Sequence, residues 1–196
     1  MISPHLITFY QNWKTKVSQI VGNGLVSVFD RYATQFVIYN ALYNEVAINL
    51  RFRGVILPKK VYDNELATKW TVKLIGAKEI LERINGNGLE QDIISICSLI
   101  ENEVFYIKLF YGQRQRDKDI ELLQRLSEGY PKEKATAVLE LLYHIRCNML
   151  HGHKDFKEYQ RQLIEPASRL LDCVLTLLYE ELMTDEAQVQ HLVIGK

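Results

Sequence analysis

The sequence predicts an all-α fold, a single bundle of about six to seven helices. Three observations carry that reading. Apolar residues recur at three-to-four residue spacing through long segments. Glycine clusters separate those segments: "VGNG" at 21–24, "NGNG" at 85–88, "EGYP" at 128–131 and "HGH" at 151–153. Proline is scarce, with four residues in the chain.

The first helix is expected over about 5–20 and the second over about 25–52. The second, "LVSVFDRYATQFVIYNALYNEVAINLRF", is apolar on most sides, so it belongs at the centre of the bundle. "FRGVILPKKVY" at 52–62 has extended character but is too isolated to make a sheet, and reads as a loop. Further helices are expected over about 64–84, 89–111, a short charged 117–127, 132–151 and 155–184. Pro166 falls inside the last of these. It removes one backbone bond and crowds the preceding turn, which predicts a kink or short break near Glu165.

A chain of 196 residues can bury one sizeable core, and residues 1–196 read as a single domain. With 47% apolar and 24% charged residues the composition is that of a soluble globular protein. Twenty-four basic and twenty-four acidic residues cancel, so nucleic-acid binding would need a local patch rather than a global field. Cys97, Cys147 and Cys173 are odd in number and form no CxxC pair. That spacing predicts neither a disulfide framework nor a zinc site, and fits a reducing cytoplasm. The N-terminal "MISPHLITFYQNWKTK" lacks the features of a signal peptide, and the longest apolar stretch, "LLDCVLTLLY" at 170–179, is too short to span a bilayer. The expectation is a cytoplasmic protein with no membrane span, no metal site and no cofactor.

The chemistry concentrates in "LYHIRCNMLHGHK" at 142–154. Three of the five histidines lie within ten residues there, beside an arginine. On a helix over about 132–151, Val138, Leu142, Ile145 and Met149 fall on one core-facing stripe. Leu139, Tyr143 and Leu150 make a second apolar row that contains Arg146. Such a wide arc means either a helix buried between neighbours or one with a core face and a partner face. His151 lies about 140° round and about 7.5 Å along from Arg146. Both side chains can then address one small anion from the helix end. Gly152 suits the residue just past the helix, and the helix dipole favours imidazolium at His151. Read as structure alone, Arg146 and His151 are ordinary basic residues near a helix C-terminus.

The run Arg146, Cys147, Asn148, Met149, Leu150, His151, Gly152 resembles the motif of HEPN domains, all-α domains of RNA-processing and defence proteins. Their motif is an arginine followed by a histidine at a spacing of four to six, often as Arg-Asn-Asn-x-x-His-Gly. "FVIYNALYNE" at 36–45 also looks like the aromatic-and-asparagine helix of these domains. The resemblance spans a helical core of about 25–184.

It implies a metal-independent endoribonuclease, working as a homodimer with a composite site in stress response or defence. Arg146 would polarise the scissile phosphate and His151 would move protons, leaving a 2′,3′-cyclic phosphate. Asn148 would orient either group or the phosphate. His153 gives a second permitted spacing, and His144, one turn before Asn148, reads either as lining the site or as a surface histidine. Asn40 is expected to be buried and either positions Arg146 or makes an ordinary inter-helix hydrogen bond. The implied partners are RNA or a nucleotide, a second copy, and an antitoxin protein. The tyrosine that one toxin group carries two residues after the motif histidine is His153 here. Cys147 stands where active members often have Asn, Asp or His. That departure keeps two alternatives open: a binding module without catalysis, and a structural helical dimer. The basic clusters Arg51/Arg53/Lys59/Lys60 and Arg114/Arg116/Lys118 read as RNA contacts or as solvated loop charge.

Overall fold

The computed structural model describes residues 3–150 and 157–194, with side chains through 149 and from 157 to 184. The chain is an all-α bundle. Helix α1 spans Pro4–Gln19, and the Ser3 hydroxyl accepts the Leu6 N–H at 3.2 Å to cap it. Helix α2, Leu25–Phe52, runs through the middle. Tyr32, Ile38, Tyr39, Leu42 and Val46 are completely buried along it, which is why its apolar residues occupy more than one face. It packs chiefly on α9, Arg161–Ile194. One contiguous core runs from Leu6 of α1 to Leu182 of α9.

The helix expected over about 64–84 is divided. It comprises α3 (Asp63–Glu65), a π-helical turn (Leu66–Trp70) and α4 (Thr71–Ile75), then turns at Gly76 into α5 (Ala77–Gly86). The π turn has a local cause. Tyr39 donates its hydroxyl to the Ala67 carbonyl, and Thr71 donates to the Leu66 carbonyl at 2.7 Å. Two carbonyls are thereby satisfied by side chains, so the backbone ladder can widen there.

The helix expected over about 89–111 stops ten residues early. Helix α6 is Glu90–Glu101. Glu103 adopts φ 56° and donates to the Ile100 carbonyl at 3.1 Å, while Val104 reaches back to Leu99 at 2.9 Å. This is a Schellman ending with a glutamate in the place glycine usually takes. Arg116 closes the same end by donating to the Ile100 and Glu101 carbonyls at 2.7 and 3.0 Å.

Residues 105–108 then run extended into a hairpin, the only sheet among the described residues: β1 (Leu109–Phe110) pairs antiparallel with β2 (Gln113–Arg114). The two-residue loop is Tyr111–Gly112, with φ 47° and 77°. Both residues are left-handed, the geometry that suits a tight hairpin and disfavours a bulky side chain at its first position. Tyr111→Gly should therefore raise unfolding free energy by about 0.5–1 kcal/mol, the left-handed penalty less a surface ring contact. Chemical denaturation checks it, and a loss of stability would mean the ring carries more than the strain.

Helix α7 (Arg116–Ser127), α8 (Pro131–Leu150), a 3₁₀ turn (Glu158–Gln160) and α9 complete the bundle. Helix α9 continues through Pro166 without a break. The proline lies in the second turn, where its missing donor affects only the Gln162 carbonyl. Within the described residues no helix is long and apolar enough to cross a membrane.

Candidate functional site

Helix α8 is buried between neighbours rather than on one side only. Val138, Leu142 and Ile145 face the core as the spacing predicts, and Leu139 and Leu141 are completely buried as well. The Tyr32 hydroxyl donates to the Leu142 carbonyl at 2.6 Å, fixing α2 against α8 one turn before Arg146. Tyr43 and Tyr143 donate to the two carboxylate oxygens of Asp63, at 2.9 and 2.8 Å. Burial first, and then the hydrogen bond each gives to Asp63, push both phenols well above their ordinary value, so both stay protonated donors.

Arg146 points toward α2. Its guanidinium carbon stands 5.4 Å from the Phe36 ring centroid, a cation–π contact. Beside it is a small, mostly apolar cavity of about 140 Å³, lined by Tyr32, Phe36, Asn40, Arg146 and Met149. Among the described residues the one polar contact of Arg146 is weak, Nη1 to the Cys147 sulfur at 3.8 Å, and its Nε is buried with no partner there. No carboxylate among the described residues pairs with it. Its counterparts differ: Arg83 is on Glu180 at 2.9 Å, Arg125 on Glu140 at 2.7 Å and Arg169 on Asp92 at 2.7 Å. Asn40 is half-buried rather than buried. It opens onto the same cavity as Arg146, with no hydrogen bond to it.

The other side of α8 holds different chemistry. Asn148 is buried, and its amide nitrogen donates to the Ile107 carbonyl at 3.0 Å and the Tyr106 carbonyl at 3.4 Å. Across the same strand, buried Asp119 accepts the Ile107 N–H at 3.2 Å and the Lys108 N–H at 2.8 Å. Burial raises the Asp119 carboxyl, and those two N–H groups and nearby Arg116 offset part of the rise. Glu140 accepts two bonds from Arg125, at 3.0 and 2.7 Å, and one from Lys108 at 3.2 Å. Burial alone would raise Glu140, but the two cations outweigh it and hold the carboxyl below its usual range. His144 sits one turn beyond. Burial, with Lys108 adding to it, pushes its imidazole down to about 4, against the opposing pull of Glu140.

The predicted constellation thus divides across the helix. Arg146 and Asn40 share the cavity on the α2 side. His144 and Asn148, each two residues and so about 200° from Arg146, face the 105–108 segment and Lys108. His151 and His153 lie outside the described residues. Of the basic clusters, Arg53 is bound to Glu181 at 2.6 Å, Arg116 to helix-end carbonyls and Lys118 to Glu121 at 2.8 Å. Arg114 instead stacks over the Tyr106 ring at 3.9 Å, with no carboxylate partner among the described residues. Among the described residues no group of three or more His, Cys, Asp or Glu is placed to hold a metal ion. Asp63 and Asp119 were not foreseen. Nothing in their local sequence distinguishes them from surface acids at the starts of helices. The chain matches no family model, no curated protein and no solved structure.

Proposed function

We propose that the chain is a HEPN-like, metal-independent endoribonuclease acting as a dimer with a composite site, in stress response or defence. The state of Arg146 carries the reading. It is a guanidinium held against an aromatic ring near a helix end, beside a cavity, and no carboxylate among the described residues pairs with it. An arginine so placed favours an incoming anion, and bidentate hydrogen bonds to a phosphate are what its fork provides. In the proposed reaction the ribose 2′-oxygen attacks phosphorus and the bond to the 5′-oxygen breaks, giving a 2′,3′-cyclic phosphate and a 5′-hydroxyl. One imidazole takes the 2′-hydroxyl proton and a protonated one supplies the departing oxygen. His151, with His153 as the alternative, fills these roles across two copies. His144 does not, because it is neutral near pH 7 and faces away from Arg146.

A second reading, binding of RNA or a nucleotide without cleavage, draws on Asn148, whose amide is already committed to the 106–107 carbonyls. The experiment is incubation of mixed RNA with the protein in EDTA, beside Arg146→Ala and His151→Ala. Cyclic-phosphate-ended fragments, absent in both variants, support the enzyme. RNA retention without cleavage, lost in the Arg146 variant, supports the binding module. A strictly monomeric protein in sedimentation would overturn the composite site.

A further inference from the structure

The hairpin at 109–114 is built in a way its packing does not require. A tyrosine occupies the left-handed loop position at φ 47°, where glycine or asparagine would sit without strain. Tyr111 is 91% exposed and its neighbour Phe110 is 63% exposed. Their rings meet edge to face, with centroids 4.6 Å apart and planes at 77°. Neither ring belongs to the buried core. Strain retained to display a side chain in solvent points to a use for that side chain.

The charge around the tip is mostly basic, and Arg114 stands out within it because Lys108 and Lys118 are engaged by Glu140 and Glu121. Over 106–118 the chain carries Lys108, Arg114, Arg116 and Lys118 against Asp117, in a protein whose formal net charge is zero. Arg114 is exposed and stacked on Tyr106, and no carboxylate among the described residues pairs with it. Aromatic faces beside an uncommitted guanidinium are what unpaired bases and their phosphates bind.

The hairpin is also fixed to the motif helix. Ile107 has its N–H held by Asp119 and its carbonyl held by Asn148, and Gln115 N–H closes the hairpin root on the Lys108 carbonyl at 3.0 Å. From Ile107 to Tyr111 the chain can extend at most about 14 Å. The tip therefore stays within a few nucleotides of α8.

We propose that Phe110 and Tyr111 form a base-stacking platform for single-stranded RNA, with Arg114 on the adjoining phosphate, at the face of α8 opposite Arg146. Asn148 is then a positioning residue, holding the platform root to the motif helix. The proposal rests on the ribonucleic acid reading of Arg146 for its substrate, but not on cleavage.

The test is fluorescence anisotropy with a labelled single-stranded RNA of about twelve nucleotides and with the same sequence as a duplex. Tyr111→Ala and Phe110→Ala should each weaken single-strand binding by roughly five- to a hundred-fold, the range of one stacked base. Tyr111→Trp should retain it. Tyr111→Gly should weaken binding while the protein becomes more stable, which separates a lost platform from lost folding. Duplex binding should change little. Unchanged single-strand affinity in both alanine variants overturns the platform. So does a variant that shifts the oligomeric state in sedimentation without changing RNA affinity, since the tip is then a protein contact. Hairpin-dependent binding with no cleavage by the native protein keeps the platform and removes the ribonuclease. Cleavage with hairpin-independent binding does the reverse.

Discussion

Asp119→Ala is expected to lower the unfolding free energy by about 3 kcal/mol, the largest loss from any single polar side chain here. Its carboxylate is fully buried and is the acceptor for two backbone N–H groups, those of Ile107 and Lys108. Removing it orphans both donors, at about 1–3 kcal/mol each. One term opposes this. Burial raises the Asp119 carboxyl, so the folded state already bears a cost for holding that charge, and alanine relieves it. The relief is smaller than the loss because the same two N–H groups compensate much of the burial. Asp117→Ala, exposed in the same turn, should change stability by under about 0.5 kcal/mol. Urea unfolding of both variants at pH 7 measures the contrast. Equal midpoints would show that water satisfies the two N–H groups and that the strand is not held from α7. Amide exchange gives a second reading: protection at Ile107 and Lys108 should fall before that of the core helices.

The contrast between two helix ends shows what the sequence could convey. Helix α5 closes with Gly88 at φ 69° and the Leu89 N–H on the Ile84 carbonyl at 3.0 Å, and "NGNG" announces it. Helix α6 closes by the same bonding around Glu103, which announces nothing, so the helix was expected to run on to about 111 and the hairpin was hidden inside it. The turn at Gly76 was passed over for a related reason, since a single glycine interrupts a helical pattern weakly. Core positions fared better because burial follows the period. The α8 stripe and the central place of α2 both follow from spacing alone. At the site, the sequence located Arg146 and Asn40 but not what separates them from Asn148 and His144. A helical wheel gives angles, whereas the neighbours that decide each side chain's partner, Phe36 on one face and Ile107 on the other, lie more than 35 residues away along the chain. Asn148 reads as a residue of the site because it lies between Arg146 and His151 in the chain. Its nearest spatial neighbours are two carbonyls.

Acid should destabilise the protein through His144 over a window set by its own shift. Its imidazole is pushed down to about 4 in the folded chain, against about 6.5 when unfolded. Between those values the unfolded state binds a proton that the folded state refuses. Stability therefore rises with pH across the window and is lost as pH falls from about 6.5 toward 4. The steepest slope is about 1.4 kcal/mol per pH unit, and the whole effect is about 2–3 kcal/mol after allowing for partial exposure. The groups facing His144 act in opposite senses. Lys108 resists its protonation, and Glu140 favours it but is already engaged by Arg125 and Lys108. Glu140 is held below its usual range by those cations, so its own contribution starts to fall only as pH drops through the ordinary carboxylate value of about 4.5 and overlaps just the acid end of the histidine window. His144→Gln should flatten the stability profile between pH 6.5 and 4.5 while leaving the steeper fall below it. Parallel profiles for the two proteins would mean that His144 takes up its proton in the folded chain, by turning to Glu140 or to solvent. The same variant tests the assignment of chemistry. If proton transfer to RNA runs through the histidines beyond α8, the pH dependence of cleavage should survive His144→Gln even as the pH dependence of stability does not.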